Sequence, residues 1–311
     1  MAALIGSSMP TQIAAQATSQ AAEKTDGTSQ IPEWQVKAGG KASFEVASIH
    51  LSKPGTSIPA SFAINADDSF RDIGTVFHAN TSVMTYFTFA YKRWLTPEQE
   101  RAILAPLPKW VETDRFSIEA RVPQGVTKDQ IRLMMQSLLA ERFQMTMHMD
   151  QRDSAVVIMT LSKPDVLGPG LRLHADGRPC TAEVMPPGPK EMPQWQCGTY
   201  GLMPRGAMLI AGSRDTRMEL VASFISHFGS SFGFLSHPVV DETGLTGRYD
   251  FTVEFVTPRK PNAGVDAGTP AEPQGADFLE AVQEQLGVKL KPGRAVLTLP
   301  VIDHIERPTE N

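Results

Sequence analysis

Two tetrapeptides set the pattern of this chain. Thr127-Lys-Asp-Gln130 and Thr216-Arg-Met-Glu219 both have the form of a capping box, in which a hydroxyl and a longer amide or carboxyl side chain satisfy backbone N–H groups at a helix start. Each is followed by apolar residues at helical spacing. These are Ile131, Met134, Met135, Leu138 and Leu139 after the first, and Leu220, Val221, Phe224 and Ile225 after the second, which runs to about Phe228. A third arrangement, Asp277 with Glu280, opens a helix expected to end at Gly287, a natural left-handed C′ residue.

Alternating segments surround these helices. Phe44–Ile49, Arg115–Val122 and Phe143–Met149 read as strands, and Ala155–Ser162 reads as the hairpin partner of the third. Asn80–Tyr91 reads as a helix capped by Asn80 or Thr81, and Pro97, Pro106 and Pro108 mark a loop after it. Ala207–Ala211 is a short strand. Pro238–Val240 and Tyr249–Val256 read as a strand pair, with Tyr249, Phe251, Val253 and Phe255 on one face and Asp250, Thr252 and Glu254 on the other. Val288–Leu290 and Val296–Ile305 close the chain around the turn Lys291-Pro-Gly-Arg294.

The order predicts an α+β fold: repeated strand-helix-strand-strand units forming antiparallel sheets with helices packed on one face, in two lobes. The expected organisation is a tail or remnant signal peptide over 1–43, a first lobe over 44–165, a Pro/Gly-rich loop over 166–205 and a second lobe over 206–311 with a flexible insertion at 257–276. A net charge of −5, from 29 basic and 34 acidic residues among 311, argues against nucleic acid as a partner. No apolar run is long enough for a transmembrane helix, and no G-x-G-x-x-G follows a strand.

The segment Asp241–Asp250 is the most distinctive. Gly244 and Gly247 could cradle an anion through backbone N–H groups, and Asp241 and Asp250 could hold a cation with the Thr243 hydroxyl nearby. Asp241, Thr243, Gly244, Gly247, Tyr249 and Asp250 are therefore the candidate binding residues. The plainer reading is a turn whose glycines supply positive φ and whose Asp and Thr side chains satisfy backbone groups. Met145, Met147 and Met149 share one face of a strand and suit either Cu(I) or, more simply, a core, with His148 on the opposite face. Asp303 and His304, with Glu306, suggest acid–base chemistry, but neighbours along a strand point to opposite faces. Trp34, Trp94, Trp110 and Trp195 read as lids over core edges or as stacking surfaces. No catalytic residue, metal or cofactor is assigned.

Cys180 and Cys197 flank one Pro/Gly-rich loop. They fit two free thiols or a disulfide. Their placement favours a disulfide, which would contribute about 3 kcal/mol and imply an oxidising compartment.

Several strings carry a family resemblance: Phe44-Glu-Val-Ala-Ser48, Trp110 with Asp114-Arg-Phe116, Leu138-Leu-Ala-Glu-Arg-Phe143, Val239 through Phe251, Gln285-Leu-Gly-Val-Lys-Leu290 and Val301 through Pro308. Together, over residues 32–311, they resemble the uncharacterised "soil-associated" family of exported proteins of soil bacteria. The resemblance implies an extracytoplasmic location, periplasmic or secreted, and supplies no catalytic residues. Ala15-Gln16-Ala17 fits a signal cleavage site, although the apolar stretch before it is short. The resulting expectation is a non-catalytic binding or protein-interaction module of the cell envelope, whose partner is an envelope protein or a cell-wall ligand. Strand edges offer one docking route. The alternative is an envelope hydrolase with a site near Asp241–Asp250 and His304.

Overall fold

The computed structural model describes residues 31–53, 55–56, 58–174, 195–206, 208–256 and 276–309. Cys180, the proposed cleavage site and nearly all of the insertion at 257–276 lie outside these residues. The chain from Pro32 onward forms one compact unit. Its elements, in order, are α1 (Glu33–Lys37), β1 (Ala47–Leu51), β2 (Val76–Ser82), α2 (Val83–Ala90), α3 (Pro97–Leu104), α4 (Trp110–Thr113), β3 (Arg115–Arg121), α5 (Lys128–Arg142), β4 (Thr146–Leu161), β5 (Leu171–Leu173), β6 (Gly201–Arg205), β7 (Met208–Thr216), α6 (Met218–Ser231), β8 (Val239–Asp241), β9 (Tyr249–Phe255), α7 (Phe278–Leu286) and β10 (Val288–His304). The fold is α+β, with three sheets ordered β1-β3-β2, β10-β4-β8 and β5-β9-β7-β6.

The first sheet is antiparallel and centred on β3, whose Phe116, Ile118 and Ala120 are buried while Arg115, Glu119 and Arg121 are exposed. They share a core with Phe77 and Ala79 of β2, with α2 and with the apolar stripe of α5. The Thr127–Gln130 capping box opens α5 as expected. The helix expected from Asn80 starts later. Residues 80–82 extend β2, pairing with 115–117, and Ser82 is the cap, accepting from the Thr85 N–H at 3.3 Å. The loop expected after Pro97 is instead a helix. Thr96 and Gln99 form a capping box, and Pro97 sits in the first turn, where a missing N–H costs nothing.

In the four-stranded sheet, β9 places Tyr249, Phe251, Val253 and Phe255 in a second core with α6, α7 and β7. Asp277 caps α7 through the Glu280 N–H at 2.9 Å, and Gly287 ends it at φ 72°. The second capping box does not form: Thr216 is the last residue of β7, paired with Tyr249, and Arg217 stands at the cap without a side-chain bond. Nor do Pro238–Val240 and Tyr249–Val256 pair. β8 runs parallel to β4, and β9 joins β5 and β7, so the sheets are not all antiparallel.

The largest departure from the expected repeat is a ribbon of β4, 16 residues long, paired antiparallel with β10, 17 residues long. At the usual strand rise β4 spans roughly 50 Å. The expected hairpins at 143–162 and 288–305 are these two continuous strands, each pairing with the other. Pro292 and Gly293 do not turn the chain. β10 is an edge strand, where proline's missing N–H leaves no ladder bond unmade, and a Cβ on Gly293 would collide with Ile158. The polar run at 150–154 lies in the exposed middle of β4. One end of the ribbon supplies Met145, Met147, Ile302 and Ile305 to the first core, and the other supplies Met159 and Val288 to the second.

Candidate functional site

A cluster of buried charge lies where residues 61–70 cross the start of α5. Lys128 and Asp67 are buried, their side chains 4% and 1% exposed, with Nζ 2.8 Å from Oδ1. Lys128 also donates to Asn65 Oδ1 at 2.8 Å. Asp67 accepts further bonds from the Ser69 N–H and hydroxyl, at 2.9 and 2.6 Å, from the Asn65 amide at 2.7 Å and from the Thr199 hydroxyl. One turn on, fully buried Arg132 reaches Asp129, the Asp67 carbonyl and, at 3.5 Å, Asp68. Lys92 lies 2.5 Å from Asp68 and 3.6 Å from Asp129. Three cations thus meet three carboxylates, so the cluster carries no net charge.

Burial alone would raise the Asp67 pKa, but Lys128, Ser69 and Thr199 outweigh it and hold the carboxyl below its ordinary value. Burial dominates at Lys128, bringing the ammonium down to about 8 against the pull of Asp67. Removing one partner of such a pair leaves an uncompensated buried charge, at a cost of about 3–5 kcal/mol.

The network is tied to the second core by residues 195–199. The Asp68 N–H donates to the Gly198 carbonyl at 3.1 Å, and the Gly198 N–H to the Arg214 carbonyl at 2.9 Å. Trp195 is buried, and its indole N–H donates to Thr252 Oγ1 at 3.0 Å. A Cβ on Gly212 would overlap this indole and the Phe251 carbonyl, so only glycine fits beneath Trp195.

Beside the network opens a cleft of about 720 Å³. Ile58, Phe62, Ile64 and Phe70 give it an apolar wall; Arg71, Arg115, Asn80, Thr81 and Thr85 give it polar groups; Gln196 and Cys197 form another part of its lining. Arg71 Nε donates to the Ser61 carbonyl at 2.8 Å and Arg115 to the Asn80 carbonyl, which orients both guanidinium groups. A second cleft of about 480 Å³, on which Trp34, Lys92, Trp94 and Arg248 converge, shares Asp68 with the first.

A family described as a protein of unknown function (DUF3738) matches residues 85–305. The chain belongs to this family. No curated protein and no solved structure matches the chain. The DUF3738 span contains Lys92, Lys128, Asp129, Arg132, Arg115 and Thr199, whereas Asn65, Asp67, Asp68 and Arg71 precede it.

Within the DUF3738 span, the Asp241–Asp250 segment links two sheets; its first half bonds within itself, while Glu242, Arg248 and Asp250 bond to residues outside it. Asp241 Oδ1 accepts from the Thr243 N–H at 3.0 Å, Thr243 Oγ1 from the Leu245 N–H at 3.3 Å, and Gly244 sits at φ 73°. Tyr249 belongs to the second core. Gly247 packs close to Tyr249 and Leu173. Asp250 instead meets His174 Nδ1 at 2.6 Å, the Asp215 N–H at 3.0 Å and Arg172 Nε at 3.3 Å. Burial pushes its pKa up, and these partners more than reverse it, leaving it lowered. His304 bonds Glu306 at 3.0 Å, and Asp303 bonds His148 at 2.9 Å. Met145 is buried and Met147 packs on the first core, while Met149 Sδ accepts from Arg93 at 3.4 Å. Among the described residues, no cluster of His, Cys, Asp and Glu is arranged to hold a metal ion, no helix is long and apolar enough to cross a membrane, and no cysteine is free.

Local spacing could not reveal the charge network, since Asp67 and Lys128 stand 61 residues apart. One signal was present: Lys128 and Arg132 lie on the same side of α5 as its apolar stripe, where unpaired cations would be costly.

Proposed function

We propose that this chain is an extracytoplasmic, non-catalytic binding module of the cell envelope that takes an anionic cell-wall ligand in the 720 Å³ cleft. The cleft carries the reading. Two oriented guanidinium groups beside Asn80, Thr81 and Thr85 suit a carboxylate or phosphate, and the Phe62–Phe70 wall suits an attached apolar group. Lys128 and Arg132, by contrast, are engaged by Asp67 and Asp129, which suits a scaffold rather than a reacting group. The envelope location rests on the resemblance to the soil-associated family. A Cys180–Cys197 disulfide accords with the absence of a free thiol at Cys197, these being the two cysteines of the chain.

The test is a thermal-shift screen of the full oxidised chain against carboxylate-bearing peptidoglycan fragments, with neutral oligosaccharides as the comparison. A ligand at about 100 times its Kd adds about 2.7 kcal/mol, enough to move Tm by a few degrees. The shift should vanish in Arg71→Gln and Arg115→Gln. A shift that survives both substitutions removes the cleft from the account.

One observation favours the rival hydrolase reading. Asp250 orients His174 through Nδ1, as an acid orients the general base of a hydrolase. Turnover of an envelope ester or peptide by the wild type, lost in His174→Ala, would support it.

A further inference from the structure

Arg93 and Lys92 are neighbours with opposite surroundings. Lys92 has carboxylates at 2.5 and 3.6 Å. Among the described residues Arg93 has none: its Nη2 donates to Met149 Sδ at 3.4 Å, and its buried Nε has no partner. A thioether is a weak acceptor and carries no charge. Burial alone lowers the Arg93 pKa, with no acid to offset it.

Arg93 lines a cavity of about 190 Å³ that shares no lining residue with the larger cleft. The cavity has no Asp or Glu in its lining. It offers the Gln99 amide, the His227 ring, the Ser223 and Ser226 hydroxyls and, on the rim, the Thr298 hydroxyl, while Leu95, Val240 and Leu299 supply apolar surface. Gln99 Oε1 is committed to the Thr96 N–H, which leaves its NH₂ as the free end of that amide. At about 30 Å³ per water, the space holds roughly six water-sized groups. A desolvated cation with no counter-charge among the described residues, bordered by the Gln99 amide, the His227 imidazole, serine and threonine hydroxyls and apolar side chains, is complementary to a compact anion carrying a hydrocarbon part.

We infer that this cavity is a second binding site, for a small aliphatic or aromatic carboxylate held by Arg93, with Gln99 and Thr298 as supporting donors. The planar fork of Arg93 matches a carboxylate, and the apolar lining selects against hydrated inorganic anions.

The test is calorimetry and thermal shift on the full chain with butyrate, benzoate, phosphate and chloride at constant ionic strength. Butyrate or benzoate should bind saturably and raise Tm, with phosphate and chloride at least ten-fold weaker. Arg93→Met should lose at least ten-fold in affinity while its unliganded Tm stays at or above that of the wild type, because an uncompensated charge is removed. Thr298→Val should weaken binding a few-fold. If Arg93→Met does not fold, Arg93→Lys, which keeps the charge and loses the fork, should still bind several-fold less tightly. Absence of saturable carboxylate binding overturns the inference. So does equal binding of phosphate or chloride, or unchanged affinity in the folded Arg93 variant.

Discussion

The Asp67–Lys128 network and the Asp241–Asp250 segment draw on the same residue types, acids with threonine and basic neighbours, yet they differ in kind. The network brings together side chains from 65–69, 92, 128–132 and 199, buries them and balances their charge. In the segment, Asp241 and Thr243 satisfy backbone two residues on, the Thr243 and Leu245 N–H groups, while Arg248 and Asp250 reach single partners outside it, Asp215 and His174 among them. The first supports a cleft, and the second makes a turn between sheets. Density of suggestive residues along the chain marks local backbone needs. A charged centre is instead assembled across the fold.

The largest effect should come from breaking the network. Lys128→Met or Asp67→Leu alone should destabilise the chain by about 3–5 kcal/mol in denaturant unfolding, and the double variant by clearly less than the sum. Additive losses would mean that the pair is not coupled. Asp250→Ala should cost less, about 1–3 kcal/mol, by leaving the Asp215 N–H and His174 without their acceptor.

Acid should act on the network in a defined direction. The Asp67 pKa is lower folded than unfolded, so the unfolded chain takes up its proton first. That contribution to stability is fully present above the ordinary carboxylate range and is lost as pH falls through it toward the lowered value of Asp67. Asp67→Asn should flatten this part of the stability–pH curve; an unchanged curve would assign the acid sensitivity elsewhere. On the basic side, one lysine should titrate near pH 8 in NMR of labelled lysine side chains, and that signal should be missing from Lys128→Met.

The smallest effects belong to the turn. Gly244→Ala, at φ 73° but with open space around a Cβ, should cost about 1–2 kcal/mol from backbone strain alone. Asp241→Asn should stay within about 1 kcal/mol, since an amide oxygen can still accept from the Thr243 N–H.

Much of the fold was legible where a local pattern has one physical solution. The Thr127–Gln130 box, the alternation of β3 and β9 and the glycine stop of α7 all appear as read. The errors share a cause, which is reading punctuation without its partner. Pro97 starts a helix because Thr96 and Gln99 cap it. Pro292 and Gly293 sit inside a strand because β10 is an edge and Ile158 needs the space. Thr216 fails to cap because β7 continues through it to pair with Tyr249. The candidate site was less legible. Its arginines, Arg71 and Arg115, meet only when residues 58–71 fold against β2 and β3.

The most direct measurement places the two regions side by side: calorimetric binding of a carboxylate-bearing peptidoglycan fragment to the wild type, Arg115→Gln and Asp241→Asn. Binding to the wild type should be saturable, with a loss of at least ten-fold in Arg115→Gln and unchanged affinity in Asp241→Asn. Unchanged affinity in Arg115→Gln with a loss in Asp241→Asn would contradict binding in the cleft and return the site to the turn.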